Sequence, residues 1–436
     1  MTRPSATLRA ALAASTDDRI VYDLAGIRGR CATLMSELPG VEVRFAMKAC
    51  PVDEVLHCLA AAGAGFDAAS PQEIERALAT GVAAADVHYG NTIKSDRHIA
   101  EAYRMGIRDF ATDSREDVAA VAAHAPGSRV FCRLATDGEG ALWGLSNKYG
   151  CSAADAVLVM EDARAAGLVP SGLSVHVGSQ QMTSDAWGSA FERLGDVLAR
   201  LRERGMALER VNLGGGLPAD GYRDTRGRPL DPPTDKIFAV IRDGMRRLRD
   251  DFGDHLAFLV EPGRYLVADQ GAIRAHVARL TTRHQSDGES RHWLYLSCGK
   301  FNGLYEMDAL QYRLVFPTHP RGPYVPAVVA GPTCDSDDAY AHDHGLVEVP
   351  EALASGDPVW VVSCGAYATS YMTQGFNGFS PLPYTCVDAP GDALAGGPAD
   401  GARGGTDTPR GHRPPGSADG DGAGAGDPSP GKARAA

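Results

Sequence analysis

The chain has 436 residues, room for about three domains of ordinary size or fewer if one is a large α/β barrel. Its 44% apolar and 22% charged residues are ordinary globular usage, which excludes a wholly disordered or fibrous chain. With 43 basic against 55 acidic side chains the formal charge is −12; a nucleic-acid or anionic-membrane partner is not expected, and no run approaches the roughly 18 apolar residues of a membrane span.

The N-terminal ATLRAALAAS is interrupted by Arg9 and predicts no targeting segment. RIVYDL follows as a strand, which groups the first residues, about 8–23, with the β region at the far end of the chain. Eight apolar, β-prone runs come next: VEVRFAMKA (41–49), GFDAAS (65–70), DVHYGN (86–91), RDFATDS (108–114), RVFCRL (129–134), LSVHVGS (173–179), RVNLGGG (210–216) and LAFLVEPGR (256–264). Between them, stretches such as PQEIERALATG and SREDVAAVAAHA start on Pro or Ser, carry early acids and repeat apolar residues three or four apart, as helices do. Eight strand-plus-helix units predict a (β/α)8 barrel over 24–268, with an open doubly wound sheet as the structural competitor.

From 269 the runs AIRAHVARL, HWLYLSC, YVPAVVAG and DPVWVVSCG predict an all-β domain, sandwich- or barrel-like, ending near 387. Residues 388–436 contain no aromatic and read as a disordered Gly/Pro/Ala/Asp-rich tail. Nine cysteines without a CxxC pair predict reduced thiols and a cytoplasmic protein, and no metal-ligand spacing is found.

Polar residues gather at the ends of the barrel runs, where barrel enzymes keep their active sites: Lys48, Asp67, Asn91, Arg133, His176, Ser179, Gly214 to Gly216, Glu261 and Arg264. Lys48 is either a strand-end lysine with its chain laid along the surface or a Schiff-base lysine, its pKa lowered among Phe45, Ala46 and Met47. The three glycines are a turn or a phosphate cradle. Glu261 in EPGR is a turn residue or the partner of a pyridine nitrogen, and Arg264 offers a fork of donors to phosphate. His176 is a core histidine or a flat ring for stacking. In GPTCDSDDAY, Cys334 is a small buried residue or a proton donor, with Asp335 beside it for a cationic substrate end. The phenol of GAY, Tyr367, belongs to the core or to phosphate.

Taken together, AMKA, HVGSQ, LGGG, EPGRY, GPTCDS and GAY resemble the ornithine/diaminopimelate decarboxylase family, pyridoxal-phosphate enzymes with an alanine-racemase-like barrel, over about residues 20–387. The resemblance implies pyridoxal 5'-phosphate on Lys48, His176 stacked on its ring and Glu261 at its nitrogen. Ser179, Gly214, Gly215, Gly216, Arg264 and Tyr367 would hold phosphate, with Asp67 and Arg133 also in the cofactor site. Cys334 would protonate the substrate carbon and Asp335 would bind the distal amine, both reaching the neighbouring subunit's cofactor in a homodimer. Glu261, where related racemases carry arginine, favours decarboxylation.

Diaminopimelate decarboxylases usually show Cys-Glu-Ser where this chain has Cys334-Asp335-Ser336, so ornithine or lysine leads as substrate. Diaminopimelate or a pathway-specific amino acid is the alternative, and a non-catalytic regulatory homologue is a further one. LSCGKFNGLYE is similar to the substrate-end region of bacterial ornithine/lysine decarboxylases and offers Glu306 as a second carboxylate for the amine. Ser297-Cys298 and Cys50 depart from that pattern, where an aspartate and an asparagine are common.

Overall fold

The computed structural model describes residues 4–389 apart from 145–147, 285–287 and 341–344; the tail expected to be disordered lies, from residue 390, outside the described residues. Strand β1 (Arg19–Asp23) precedes β2 (Val41–Ala46), β3 (Gly65–Ala68), β4 (Val87–Tyr89), β5 (Asp109–Thr112) and β6 (Arg129–Arg133). Then come β7 (Ala141–Trp143), β8 (Val169–Ser174), β9 (Ser179–Gln181), β10 (Arg210–Asn212) and β11 (Ala257–Val260). Strands β2, β3, β4, β5, β6, β8, β10 and β11 pair in that order, and β11 returns to β2, closing an eight-stranded parallel barrel. Closure excludes the open doubly wound sheet, while β7 and β9 form a separate antiparallel ribbon.

The strands are shorter than the apolar runs that announced them. In LSVHVGS the ladder ends at Ser174, and Val175 and Val177 stay buried in the loop beyond it. Apolarity therefore continues past the last paired residue, because loops at the barrel mouth pack on the core as strands do. The helices begin where the sequence says. Ser70, Ser95, Ser114 and Ser152 each cap a helix by accepting a hydrogen bond from the amide three residues on, and Pro71 fills the first helical position of Pro71–Ala79.

The second sheet adds β12 (Gly271–His284), β13 (Ser290–Leu296), β14 (Arg313–Val315), β15 (Tyr324–Ala330), β16 (Val347–Pro350), β17 (Pro358–Val362) and β18 (Tyr384–Val387). Its order is β14-β17-β12-β13-β15-β16, with β1 antiparallel to β12 and parallel to β18. The N-terminal strand expected over about 8–23 is corrected: residues Ala6–Ala14 form a helix and the strand is Arg19–Asp23. Ser5 caps that helix, and Leu8, Ala11 and Leu12, three to four apart, bury one face beside Val21, Ala272 and Val362. Among the described residues no helix is long and apolar enough to cross a membrane.

Candidate active site at the barrel mouth

Lys48 follows β2 on a single 3-10 turn, Met47–Ala49. Phe45, Ala46 and Met47 are buried, which turns the lysine outward into a cleft at the C-terminal ends of the strands. The cleft, about 360 Å³ of open space, is also lined by Asp67, His176, Ser179, Gly215, Gly216, Glu261, Arg264 and Tyr367. Nine residues singled out in the sequence, from five strand ends and the second sheet's loop, thus share one space. A larger recess, about 1180 Å³ by the same measure, lies at the opposite end of the barrel. Several of its charges are paired with one another, Arg129 with Glu209 at 2.7 Å and Arg210 with Asp109, and it holds no lysine, serine or cysteine among its lining residues.

The Lys48 ammonium is not lowered as expected from its apolar neighbours. Burial pulls its pKa down, but the carboxylate of Asp67, then Tyr367 and Glu261, outweigh that and hold it above the ordinary lysine value. Asp67 moves the other way: burial raises it, and His88, Lys48 and Arg133 bring it below the usual carboxylate range. His176 lies two residues beyond β8, its Nδ1 accepting from the Gly178 amide at 3.0 Å. Burial and the cations of Arg133 and Lys48 lower its pKa to about 3, so the ring is neutral at physiological pH. His176 is therefore expected to leave no inflection in the pH–rate profile between pH 5 and 8; an inflection abolished by His176→Phe would contradict this.

Gly214 and Gly216 have φ of +66° and +117°, and a Cβ on Gly214 would lie 2.0 Å from the Val175 carbonyl oxygen. Gly214→Ala is expected to destabilise the fold by about 2–4 kcal/mol, read from the urea midpoint. Gly215 has no such φ, but a Cβ there would stand 2.9 Å from the Glu261 carbonyl and 3.3 Å from His176 Nε2. That floor is open only because the residue is glycine. Tyr367 sits at φ +63°, and its amide donates to the Ala49 carbonyl at 2.7 Å, which ties the second sheet's loop to the Lys48 turn.

Arg264 is buried and fully engaged. Its Nη1 donates to Tyr222 Oη at 2.9 Å, Nε and Nη2 to Ser179 Oγ at 3.3 Å, and both Nη atoms to Glu306 at 2.6 Å. Glu306 thus has both oxygens on Arg264, so a substrate amine would have to share them. Arg133 is outside the lining but close enough to act on Lys48, Asp67 and His176. Gly214 is behind it, its amide held by Asn212 Oδ1 at 2.8 Å.

Cys334 and Asp335 are not brought into this cleft. Cys334 is exposed, its amide bonded to Asn377 Oδ1 at 2.9 Å, and Asp335 accepts from the Asp337 amide at 2.8 Å. Asp338 anchors that loop, accepting from the amides of Lys300 and Thr333 and from the Thr333 hydroxyl. Ser297 Oγ accepts from the His276 amide at 2.9 Å, and Cys298 and Cys50 are buried thiols.

The sequence reading missed His88 and Asn212. His88 Nε2 is 2.9 Å from Glu261 Oε1 and 3.2 Å from Asp67 Oδ1, and Asn212 Nδ2 donates to the same Glu261 oxygen. The signal was available in the ladder: His88 is the register partner of Asp67, one of the acids at the strand ends. Asp67, His88 and Glu261 carry ligand-type atoms within 4.8 Å of one another, and here they are partners of each other.

The mouth suits a flat, anionic aldehyde. It has an amine to join it, a neutral imidazole beside a glycine floor, hydroxyls and a buried guanidinium, and a carboxylate near the amine. Residues 24–268 match the family described as pyridoxal-dependent decarboxylase, pyridoxal binding domain, and residues 223–365 match its C-terminal sheet domain. The chain belongs to the pyridoxal-dependent decarboxylase family. A lysine/ornithine decarboxylase of Selenomonas ruminantium is 30% identical over 350 residues, 79% of this chain and 83% of that protein. Antizyme inhibitor 2 of Xenopus laevis is 30% identical over 382 residues, 84% and 81% of the two chains. The crystal structure of lysine/ornithine decarboxylase from Vibrio vulnificus complexed with cadaverine superposes with a TM-score of 0.77 at 28% identity, covering 89% of this chain and 100% of that one.

Proposed function

We propose that this pyridoxal-phosphate-dependent decarboxylase acts on a basic L-amino acid with one terminal amine, ornithine or lysine, releasing carbon dioxide and a diamine. The carrying observation is that Lys48 and Glu261 face one cleft. The relatives named for lysine and ornithine support the substrate class. Pyridoxal phosphate, when bound, supplies the sink for the electron pair left at Cα as carbon dioxide departs.

Lys48 would carry the cofactor and release it to the substrate amine. Glu261 would keep a proton on the ring nitrogen, and neutral His176 would lie against the ring. Ser179 Oγ, the Gly214 to Gly216 backbone and Tyr367 would hold phosphate, with the Arg264–Glu306 pair behind Ser179. The catalytic division would run 24–268 for the cofactor barrel and 269–387 for the sheet. Nine free cysteines are in keeping with a reducing, cytoplasmic setting.

In a homodimer, Cys334 would protonate the substrate carbon and Asp335 hold the distal ammonium of the neighbouring site. The exposure of Cys334 supports this, as do exposed aromatics on the same domain. Tyr305 stacks on Tyr371 at 4.2 Å, Tyr371 packs against Tyr367, and Phe376 next to Asn377 is also partly exposed. Mixing Lys48→Ala with Cys334→Ala subunits should restore about a quarter of wild-type activity, because half the dimers then hold one intact site of two. No recovery would mean that each site is built within one chain.

Product analysis by mass spectrometry with ornithine, lysine, arginine and diaminopimelate tests the substrate. Putrescine or cadaverine is expected. Lysine from diaminopimelate would overturn the role of Asp335, and no product from any of them would favour the regulatory reading.

A further inference from the structure

His88 is wholly buried in the middle of β4, a position that in a packed barrel calls for an aliphatic side chain. It is ringed by charge. On the Nδ1 side Arg44 Nη1, from β2, lies at 3.3 Å; on the Nε2 side are Glu261 of β11 at 2.9 Å and Asp67 of β3 at 3.2 Å. The Phe131 ring of β6 packs against it, tilted by 59° with ring centroids 5.2 Å apart.

A guanidinium has donors and no acceptor, so the Nδ1 facing it must accept. Burial lowers the pKa of the ring, but Asp67 and Glu261 outweigh it and raise it above the ordinary histidine value; Nε2 carries a proton in the neutral and the charged ring alike, and its nearer acceptor is Glu261 Oε1. Asn212 Nδ2 donates to the same oxygen, so Oε1 takes two hydrogen bonds and Oε2 is left for another partner. Removing the imidazole N–H would leave Asp67 and Glu261 facing each other, and two carboxylates at that range favour protonation of one.

We propose that His88 is a positioning residue: with Arg44 on its Nδ1 side and its Nε2–H aimed at Glu261, it fixes the Glu261 carboxyl group with Oε2 free for the cofactor's ring nitrogen. The assignment rests on the pyridoxal-phosphate reading of the site. His88 touches no reacting atom and acts only through Glu261.

The test loads the full-length protein with pyridoxal phosphate labelled with ¹⁵N in the ring and reads the ring nitrogen by NMR, alongside cofactor affinity. In the wild type the signal should be that of a protonated nitrogen. His88→Leu should move it toward the unprotonated position, weaken cofactor binding, and lower kcat by about tenfold to a hundredfold, with KM changed less than about twofold. Glutamine places an N–H near the Nε2 position and asparagine does not, so His88→Gln should retain the wild-type signal and His88→Asn should lose it. This pair decides the matter if the leucine variant fails to fold. Identical ring-nitrogen signals in wild type, His88→Gln and His88→Asn would overturn the proposal. Failure of the wild type to bind the cofactor at all would instead overturn the reading beneath it, and this proposal with it.

Discussion

Lys48→Ala is expected to lower kcat on the order of 10⁴-fold and to abolish the covalently held cofactor chromophore, leaving the melting temperature of the cofactor-free protein within a few degrees of wild type. The side chain extends into the cleft from a turn whose packing is done by Met47 and Ala49, so its removal creates no core cavity. A variant that kept the chromophore would show that another amine carries the cofactor. The direction of the Lys48 pKa adds a second expectation. An ammonium held above the ordinary lysine value by Asp67, Tyr367 and Glu261 must shed a proton before it can attack an aldehyde. Below that pKa the unprotonated fraction rises tenfold per pH unit, so cofactor uptake by the stripped protein should quicken from pH 7 toward pH 9. Asp67→Asn removes the largest raising influence and should make uptake at pH 7 faster. A rate that is flat with pH, or unchanged in Asp67→Asn, would refute this electrostatic account.

Much of the mouth was legible because a barrel presents its chemistry at fixed places. Lys48, Asp67, His176, Glu261 and Arg264 each stand at or just past the end of an apolar run, and polar residues there serve no packing purpose. What sequence could not show is who answers whom. Arg264 looked like a free fork for phosphate, yet Glu306, forty-two residues away in the chain, holds both its Nη atoms. Lys48 looked like an amine lowered by its apolar strand, yet the acids that raise it come from β3 and the β11 end. His88 was invisible for a related reason: inside the run DVHYGN it broke no rule, and its meaning appears only when β3 and β11 bring their carboxylates to the same ring nitrogen. The N-terminal helix failed locally instead. In ATLRAALAAS the small residues resemble a targeting signal, but Ser5 and the spacing of Leu8, Ala11 and Leu12 mark a capped amphipathic helix.

The other end of the barrel should govern stability and leave the chemistry nearly alone, and Asp109→Ala is the variant that separates the two. Asp109 opens β5 and is buried between two arginines, bonded to Arg210 and 3.6 Å from Arg44. Burial raises its carboxyl pKa, but Arg210, His88 and Arg44 together outweigh that, so the group lies below the usual carboxylate range. Removing it strands two guanidiniums in the barrel floor, and a loss of about 3–5 kcal/mol is expected from urea unfolding at pH 7. The sign with pH follows from the depressed value. The stability Asp109 contributes is present above the unfolded carboxyl pKa of about 3.9 and is lost as pH falls through the lower folded value. The wild type should therefore lose stability more steeply than Asp109→Ala between pH 5 and 3. Replacing the pair by apolar side chains, Asp109→Leu with Arg210→Met, should recover part of the loss, since Arg210 is then gone and only Arg44, which keeps Glu42 at 3.6 Å, is left without Asp109. Arg44 keeps the Ala85 carbonyl at 3.1 Å and His88 in every one of these variants. At a temperature where each is folded, kcat should accordingly stay within about threefold of wild type, in line with the division of such barrels into a stabilising and a catalytic face. A large fall in kcat for the Leu/Met pair, with the fold intact, would show instead that the barrel floor reaches the chemistry through Arg44 and His88.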